Sequence, residues 1–177
     1  MILRDAPFFC SDKKGELKAW LGDGYYFWES FILLAHWWGK VHYRRKNKHY
    51  AICSTIFDCN DGEFLDLINN PSQIEDVQKV VDYLVATEEY KADKFTAQFV
   101  INFLRTKTPF PYKAIRVYGR DCAADKSITQ YRLNFNNNSS MHLCPEIQIC
   151  VIDKSTIKLP VEIIYSSDTQ SLDNYTV

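Results

Sequence analysis

The sequence predicts an α+β fold, and three observations carry that expectation. Strand-like runs rich in aromatic and β-branched residues lie near both ends of the chain. Two segments with apolar residues at helical spacing lie between them. The elements do not alternate strand and helix as a doubly wound sheet requires. A chain of 177 residues is long enough to bury one core, and no Pro-, Gly- or Ser-rich linker divides it, so a single domain over 1–177 is expected.

The first strand is Gly24 to Trp28, introduced by Gly22-Asp23-Gly24. Glu29-Ser30 offers a turn, and Phe31 to Trp38 reads as a short buried helix ending at Gly39. A basic polar stretch, Val41 to Lys48, leads to a strand over His49 to Phe57, marked by alternation and β-branched content. Asp58 to Gly62 reads as a turn. Ile74, Val77, Val81 and Leu84 then recur at helical spacing, and Phe95, Phe99 and Phe103 with Val100 and Leu104 repeat the pattern. Thr106 to Pro111 breaks that second helix. Strands follow over Ala114 to Tyr118, Gln130 to Phe135 and Ile147 to Ile152, with Ile157 to Ile164 closing the fold. Asn136 to Ser140 is a polar loop.

Composition narrows the class. Apolar residues make up 46% and charged residues 24%, which excludes a disordered chain. A net charge of −1 means that attraction to nucleic acid or anionic lipid must come from a local patch. The cysteines Cys10, Cys53, Cys59, Cys122, Cys144 and Cys150 contain no C-x-x-C pair, so free thiols in a reducing compartment are expected, with neither a disulfide framework nor a metal site. The longest apolar stretch, Phe31 to Ala35 with Trp37 and Trp38, falls short of a membrane span, and Met1 to Asp5 does not read as a signal peptide. A soluble cytoplasmic protein is the expectation.

The richest run is Trp20-Leu21-Gly22-Asp23-Gly24-Tyr25-Tyr26-Phe27-Trp28-Glu29, followed by Trp37. Two glycines around one residue allow a sharp turn and a close backbone approach to a ligand. An aromatic on the strand and another on the next helix could hold a flat ring between them. The plainer alternative is a turn entering a core strand, with Tyr26 and Trp37 simply packed. A second feature is Glu146, which opens the apolar strand Ile147-Gln148-Ile149-Cys150-Val151; period-two alternation puts Gln148 on its face. A carboxylate there is costly without a partner or a task. Its plainer reading is a solvated strand edge.

These two features resemble motifs of the ADP-ribosyltransferases, above all the branch that includes the poly(ADP-ribose) polymerases. Gly22, Gly24, Tyr26 and Phe27 are similar to the Gly-x-Gly-hydrophobic-Tyr-Phe motif, and Trp37 falls where that branch places a second, nicotinamide-stacking tyrosine. The longer form of the run also looks like bacterial toxin-like members. Asn136 to Leu143 and then Glu146 resemble the loop and catalytic glutamate of the third motif. The resemblance implies a split β-sheet core with helices inserted between N- and C-terminal strands. It implies NAD as substrate, no metal, catalytic roles for Glu146, Tyr26 and Gln148, and NAD contacts from Gly22, Gly24, Tyr26, Trp37 and Arg4.

The first motif, normally His-Gly or Arg on an opening strand, departs from the pattern: none of His36, His42, His49 or His142 precedes a glycine. Either Arg4 substitutes, or Ile2 to Ser11 aligns with the tail of the first helix and the first strand is missing or altered. The activity implied is mono-ADP-ribosylation of a macromolecule, protein or nucleic acid, by a bacterial toxin or defence factor that could have a neutralising partner protein. The alternatives are an inactive binding module of the same fold and an NAD glycohydrolase. His42 to Tyr50, with Arg44, Arg45 and Lys46 among aromatics, could contact RNA or DNA, or form a solvated loop.

Overall fold

The computed structural model describes residues 7–11, 19–87, 96–119, 132–134 and 140–168. The fold is α+β; the described residues form a five-stranded mixed sheet, two small two-stranded sheets and three α-helices. Strands β1 (Phe9–Cys10), β2 (Gly24–Trp28), β3 (Ala51–Ser54), β4 (Phe64–Asp66), β5 (Ala114–Tyr118), β6 (Arg132–Asn134), β7 (Ser140–His142), β8 (Ile147–Val151) and β9 (Glu162–Ser166) are joined with helices α1 (Ile32–His42), α2 (Pro71–Ala86) and α3 (Ala97–Lys107).

The large sheet runs β1-β2-β8-β5-β4. Its central strand, β8, pairs antiparallel with both β2 and β5, which brings a strand near the N-terminus against one near the C-terminus. Because directly opposed residues share a face, Tyr26, Cys150, Ile115 and Leu65 form one continuous row across four strands. On that face α2 and α3 pack Val77, Val80, Val81, Val100, Ile101 and Leu104 against the sheet. The opposite face carries the row Tyr25, Val151, Ala114 and Phe64, covered by Phe57 and Ile157. The only parallel pair among the described residues is β4–β5, and a parallel pair needs a long crossover, here the segment holding α2 and α3.

Local chemistry explains the helix starts. The Asn70 side chain accepts the Gln73 N–H at 3.2 Å with Pro71 at the first helical position, and Thr96 Oγ1 accepts the Phe99 N–H at 3.2 Å. The second sheet pairs β3 with β9 and lies against α1, where Ile32, Ala35 and Tyr43 meet Tyr50, Ile52 and Tyr165.

Several sequence expectations need correction. Helix α1 does not end at Gly39 but continues to His42. Gly39 is there because a Cβ would overlap the Tyr50 ring, so it serves close packing and not a cap. The strand expected over His49 to Phe57 is regular only from Ala51 to Ser54, with an isolated bridge at Phe57. The turn at Asp58 to Gly62 is followed by β4, which the sequence reading did not identify. The closing strand lies later than expected, at Glu162–Ser166. Ser140, Met141 and His142, expected within the loop from Asn136 to Leu143, form β7, which pairs with β6. Arg4, Phe95, Cys122, Gln130 and Phe135 to Ser139 fall outside the described residues.

Candidate functional site

The Gly-x-Gly turn is closed from within. Gly22 adopts φ +86°, a conformation that side chains strain to reach. The Tyr26 hydroxyl accepts the Leu21 N–H at 2.9 Å and donates to the Gly22 carbonyl at 2.7 Å. Arg105 on α3 donates to the Asp23 carbonyl at 3.2 Å. A Cβ on Gly22 would lie 3.0 Å from the Arg105 guanidinium, and one on Gly24 would lie 2.6 Å from Cys150 Sγ and 2.8 Å from the Val151 carbonyl. Both glycines thus accommodate the protein's own α3 and β8. Burial, then the neighbouring Cys150, raises the Tyr26 phenol well above its ordinary range. Burial likewise pushes the Cys150 thiol up to about 12, so it is not a nucleophile.

Trp28, two residues further along β2, takes a different role. Its ring meets Trp37 of α1 edge-on, with centroids 6.4 Å apart. Leu34, Phe31 and the buried Cys144 complete this cluster. Glu146 follows Cys144 by two residues and is 8% exposed, so it is not a solvated strand edge. Its backbone carbonyl accepts the Gly119 N–H, and the Ile147 N–H folds back onto the Pro145 carbonyl at 2.9 Å. A Cβ on Gly119 would approach the Trp28 ring to 3.3 Å, which places Trp28 beside the Gly119–Glu146 backbone contact. Burial, then the Glu146 charge, raises the Cys144 thiol, so carboxylate and thiol sit close together.

Gln148 lies directly opposite Trp28 in the ladder, and its Oε1 accepts the Trp20 indole N–H at 2.7 Å. The assigned residues therefore fall into two groups along β2 and β8. Gly22, Gly24 and Tyr26 belong to the turn and the α3 side of the core. Trp37 and Glu146 belong to the cluster at the other end of β2, and Gln148 links that end to Trp20. Trp28 joins the second group through register, which a sequence motif does not reveal.

A second feature escaped the sequence reading. Arg116 on β5 makes a two-pronged contact with Glu29, Nε to Oε2 at 2.7 Å and Nη2 to Oε1 at 3.0 Å, and reaches Asp66 at 3.1 Å through Nη1. Desolvation opposes its charge, but the bonds to Glu29 and Asp66 outweigh it and hold its pKa above the ordinary value. Arg116 and Asp66 are register partners, so this ion cluster ties the residue that follows β2 to β5 and β4 on the face away from α2 and α3. No group of three or more His, Cys, Asp or Glu suited to a metal occurs among the described residues. No helix among them is long and apolar enough to cross a membrane. No protein-family model, curated protein or solved structure matches the chain at a significant level.

Proposed function

We propose that the chain cleaves NAD and transfers its ADP-ribose to a macromolecular acceptor. The observation that carries this reading is the direct pairing of β2 with β8, with Glu146 close to the Trp28–Trp37 edge contact. The arrangement of a five-stranded sheet, a separate β3–β9 sheet and helices inserted between early and late strands supports the ADP-ribosyltransferase resemblance. The residues fit the substrate in kind. Indole surfaces of Trp28 and Trp37 suit a flat nicotinamide ring, and a sheltered carboxylate suits a developing cation.

In this mechanism the glycosidic bond between the ribose C1′ and the nicotinamide nitrogen breaks, and nicotinamide leaves with the bonding pair. Glu146 stabilises the oxocarbenium-like ribose through its hydroxyl and receives the proton of the acceptor nucleophile that attacks C1′. Gln148, two residues beyond Glu146, anchors β8 to Trp20. The test is release of nicotinamide from NAD together with transfer of adenine-labelled ADP-ribose, by wild type and by Glu146→Gln. Glu146→Gln is expected to reduce turnover by about 10²-fold or more with an unchanged melting transition. An unaltered rate in that variant, or no release by wild type with protein, RNA and DNA acceptors, overturns the proposal. Free ADP-ribose as sole product would identify a glycohydrolase.

The second reading, a binding module without turnover, is favoured by one observation. The Tyr26 hydroxyl and both glycines are already occupied by Leu21, Gly22, α3 and β8. NAD binding without nicotinamide release would select it.

A further inference from the structure

We propose that α1 and the turn after it form a surface for single-stranded nucleic acid. Residues 30–57 contain Lys40, Arg44, Arg45, Lys46 and Lys48 and no Asp or Glu. The remainder of the chain has 16 Lys and Arg against 22 Asp and Glu, a net −6, so the charge is strongly segregated. All five cations are exposed, and among the described residues none has a carboxylate within ion-pair distance. His49, by contrast, is paired with Asp168 at 2.5 Å.

The cations are displayed from a fixed turn. Arg44–Lys46 form a single 3-10 turn, Asn47 adopts φ +54°, and the N–H groups of Lys46 and Lys48 both donate to the Tyr43 carbonyl at 2.9 and 3.0 Å. Tyr43 is itself packed against the α1/β3–β9 core. Beside this turn the partly exposed Trp38 stacks on His42 with centroids 3.8 Å apart and planes tilted by 35°. Trp38 joins none of the core clusters formed by the described residues. Arg45 and Lys46 lie near enough to His42 to disfavour its protonation, after burial.

An aromatic pair flanked by exposed cations matches a strand whose bases are free to stack and whose phosphates run alongside. A duplex hides its base faces and offers phosphates and groove edges instead. Trp37 joins Trp28 at 6.4 Å to Trp38 at 6.1 Å, so the surface is continuous with the candidate site. If ADP-ribose transfer occurs there, single-stranded nucleic acid is its acceptor; that clause rests on the proposed function, whereas binding itself does not.

Binding is measured without NAD, by anisotropy of labelled dT and rU 20-mers against the intact chain. Either single strand is expected to bind more tightly than a duplex of equal length. Arg44→Ala/Arg45→Ala/Lys46→Ala should lower the log–log salt slope by about 2, as three lost single-strand phosphate contacts do. Trp38→Ala should weaken binding roughly tenfold with the slope unchanged, and Trp38→Phe should restore most of it. Lys79→Ala, on the distant α2, should leave binding unaltered. No binding by wild type at low salt, equal affinity for duplex, or a Trp38→Ala variant that binds like wild type overturns the proposal. Equal competition by polyglutamate would also overturn it, in favour of an acidic protein partner. Failure of NAD cleavage leaves all of these readouts unaffected.

Discussion

Trp28 and Gln148 face each other across β2 and β8, and the Gln148 amide oxygen ties Trp20 to the same site at 2.7 Å. Gln148→Ala leaves a partly buried indole N–H without its acceptor, a loss of about 1 kcal/mol. For a chain of this size the melting temperature is expected to fall by about 2–4 °C. Gln148→Glu keeps an acceptor and should fall less. Thermal melts followed by tryptophan fluorescence check both, and equal losses would place the stabilisation elsewhere than in this bond.

Tyr26 is expected to contribute to stability through its hydroxyl. Tyr26→Phe keeps the ring in the core but strands the Leu21 N–H and the Gly22 carbonyl. The expected cost is about 1–3 kcal/mol, read from urea midpoints. A neutral Tyr26→Phe would mean that water satisfies the turn in the variant.

Much of the fold was legible in the sequence, and the misses have physical causes. β2 and β5 follow from local aromatic and β-branched content, and α2 and α3 from apolar periodicity; the sequence reading did not identify the Asn70 and Thr96 caps that start those helices. β4 was not legible, because Phe64–Asp66 is extended through pairing with β5, whose residues lie 50 positions away. Within the site, the run through Tyr26 and the strand after Glu146 stood out by residue type. That Trp28 meets Trp37, while Tyr26 turns back to Gly22, depends on register and on α1 packing. The Arg116 cluster unites residues of β4 and β5 with Glu29, far apart in sequence, and has no local signature.

That cluster gives a third expectation. Arg116→Met removes the cation shared by Glu29 and Asp66 and leaves two partly buried carboxylates without it. Breaking such a group costs about 3 kcal/mol. The triple variant Arg116→Met/Glu29→Gln/Asp66→Asn should recover part of the loss, since no uncompensated charge remains. Urea denaturation of wild type and both variants decides it; absence of recovery would mean that geometry, not charge, is what Arg116 supplies.

Gly39 separates two opposing effects by sign. In a solvent-exposed helix, Gly→Ala stabilises by about 1 kcal/mol. At Gly39 the added methyl overlaps the Tyr50 ring, and overpacking costs about 1–3 kcal/mol, so Gly39→Ala should destabilise. Gly62, where a Cβ meets nothing within 4 Å, is the matched control and should tolerate alanine with little change.

The same aromatic corner makes stability depend on pH. His36 is buried on α1, with Nδ1 3.1 Å from the Tyr50 hydroxyl and its ring 4.5 Å from Tyr165. Burial, then the positive charge of Lys40, lowers its pKa below the ordinary 6.5. The fold therefore favours neutral His36, while the unfolded chain takes up its proton near the ordinary value. Between the two pKa values the unfolded state holds more protons, so stability rises with pH there. The contribution is whole above about pH 6.5 and is lost as pH falls through the folded pKa. His42 acts with the same sign, through burial and the charges of Lys46 and Arg45, so the two must be varied separately. Urea midpoints of wild type should drop further between pH 8 and pH 5 than those of His36→Gln, which cannot protonate. Parallel lines for the two proteins would show that the imidazole stays neutral, or charges without penalty, against Tyr50 and Tyr165.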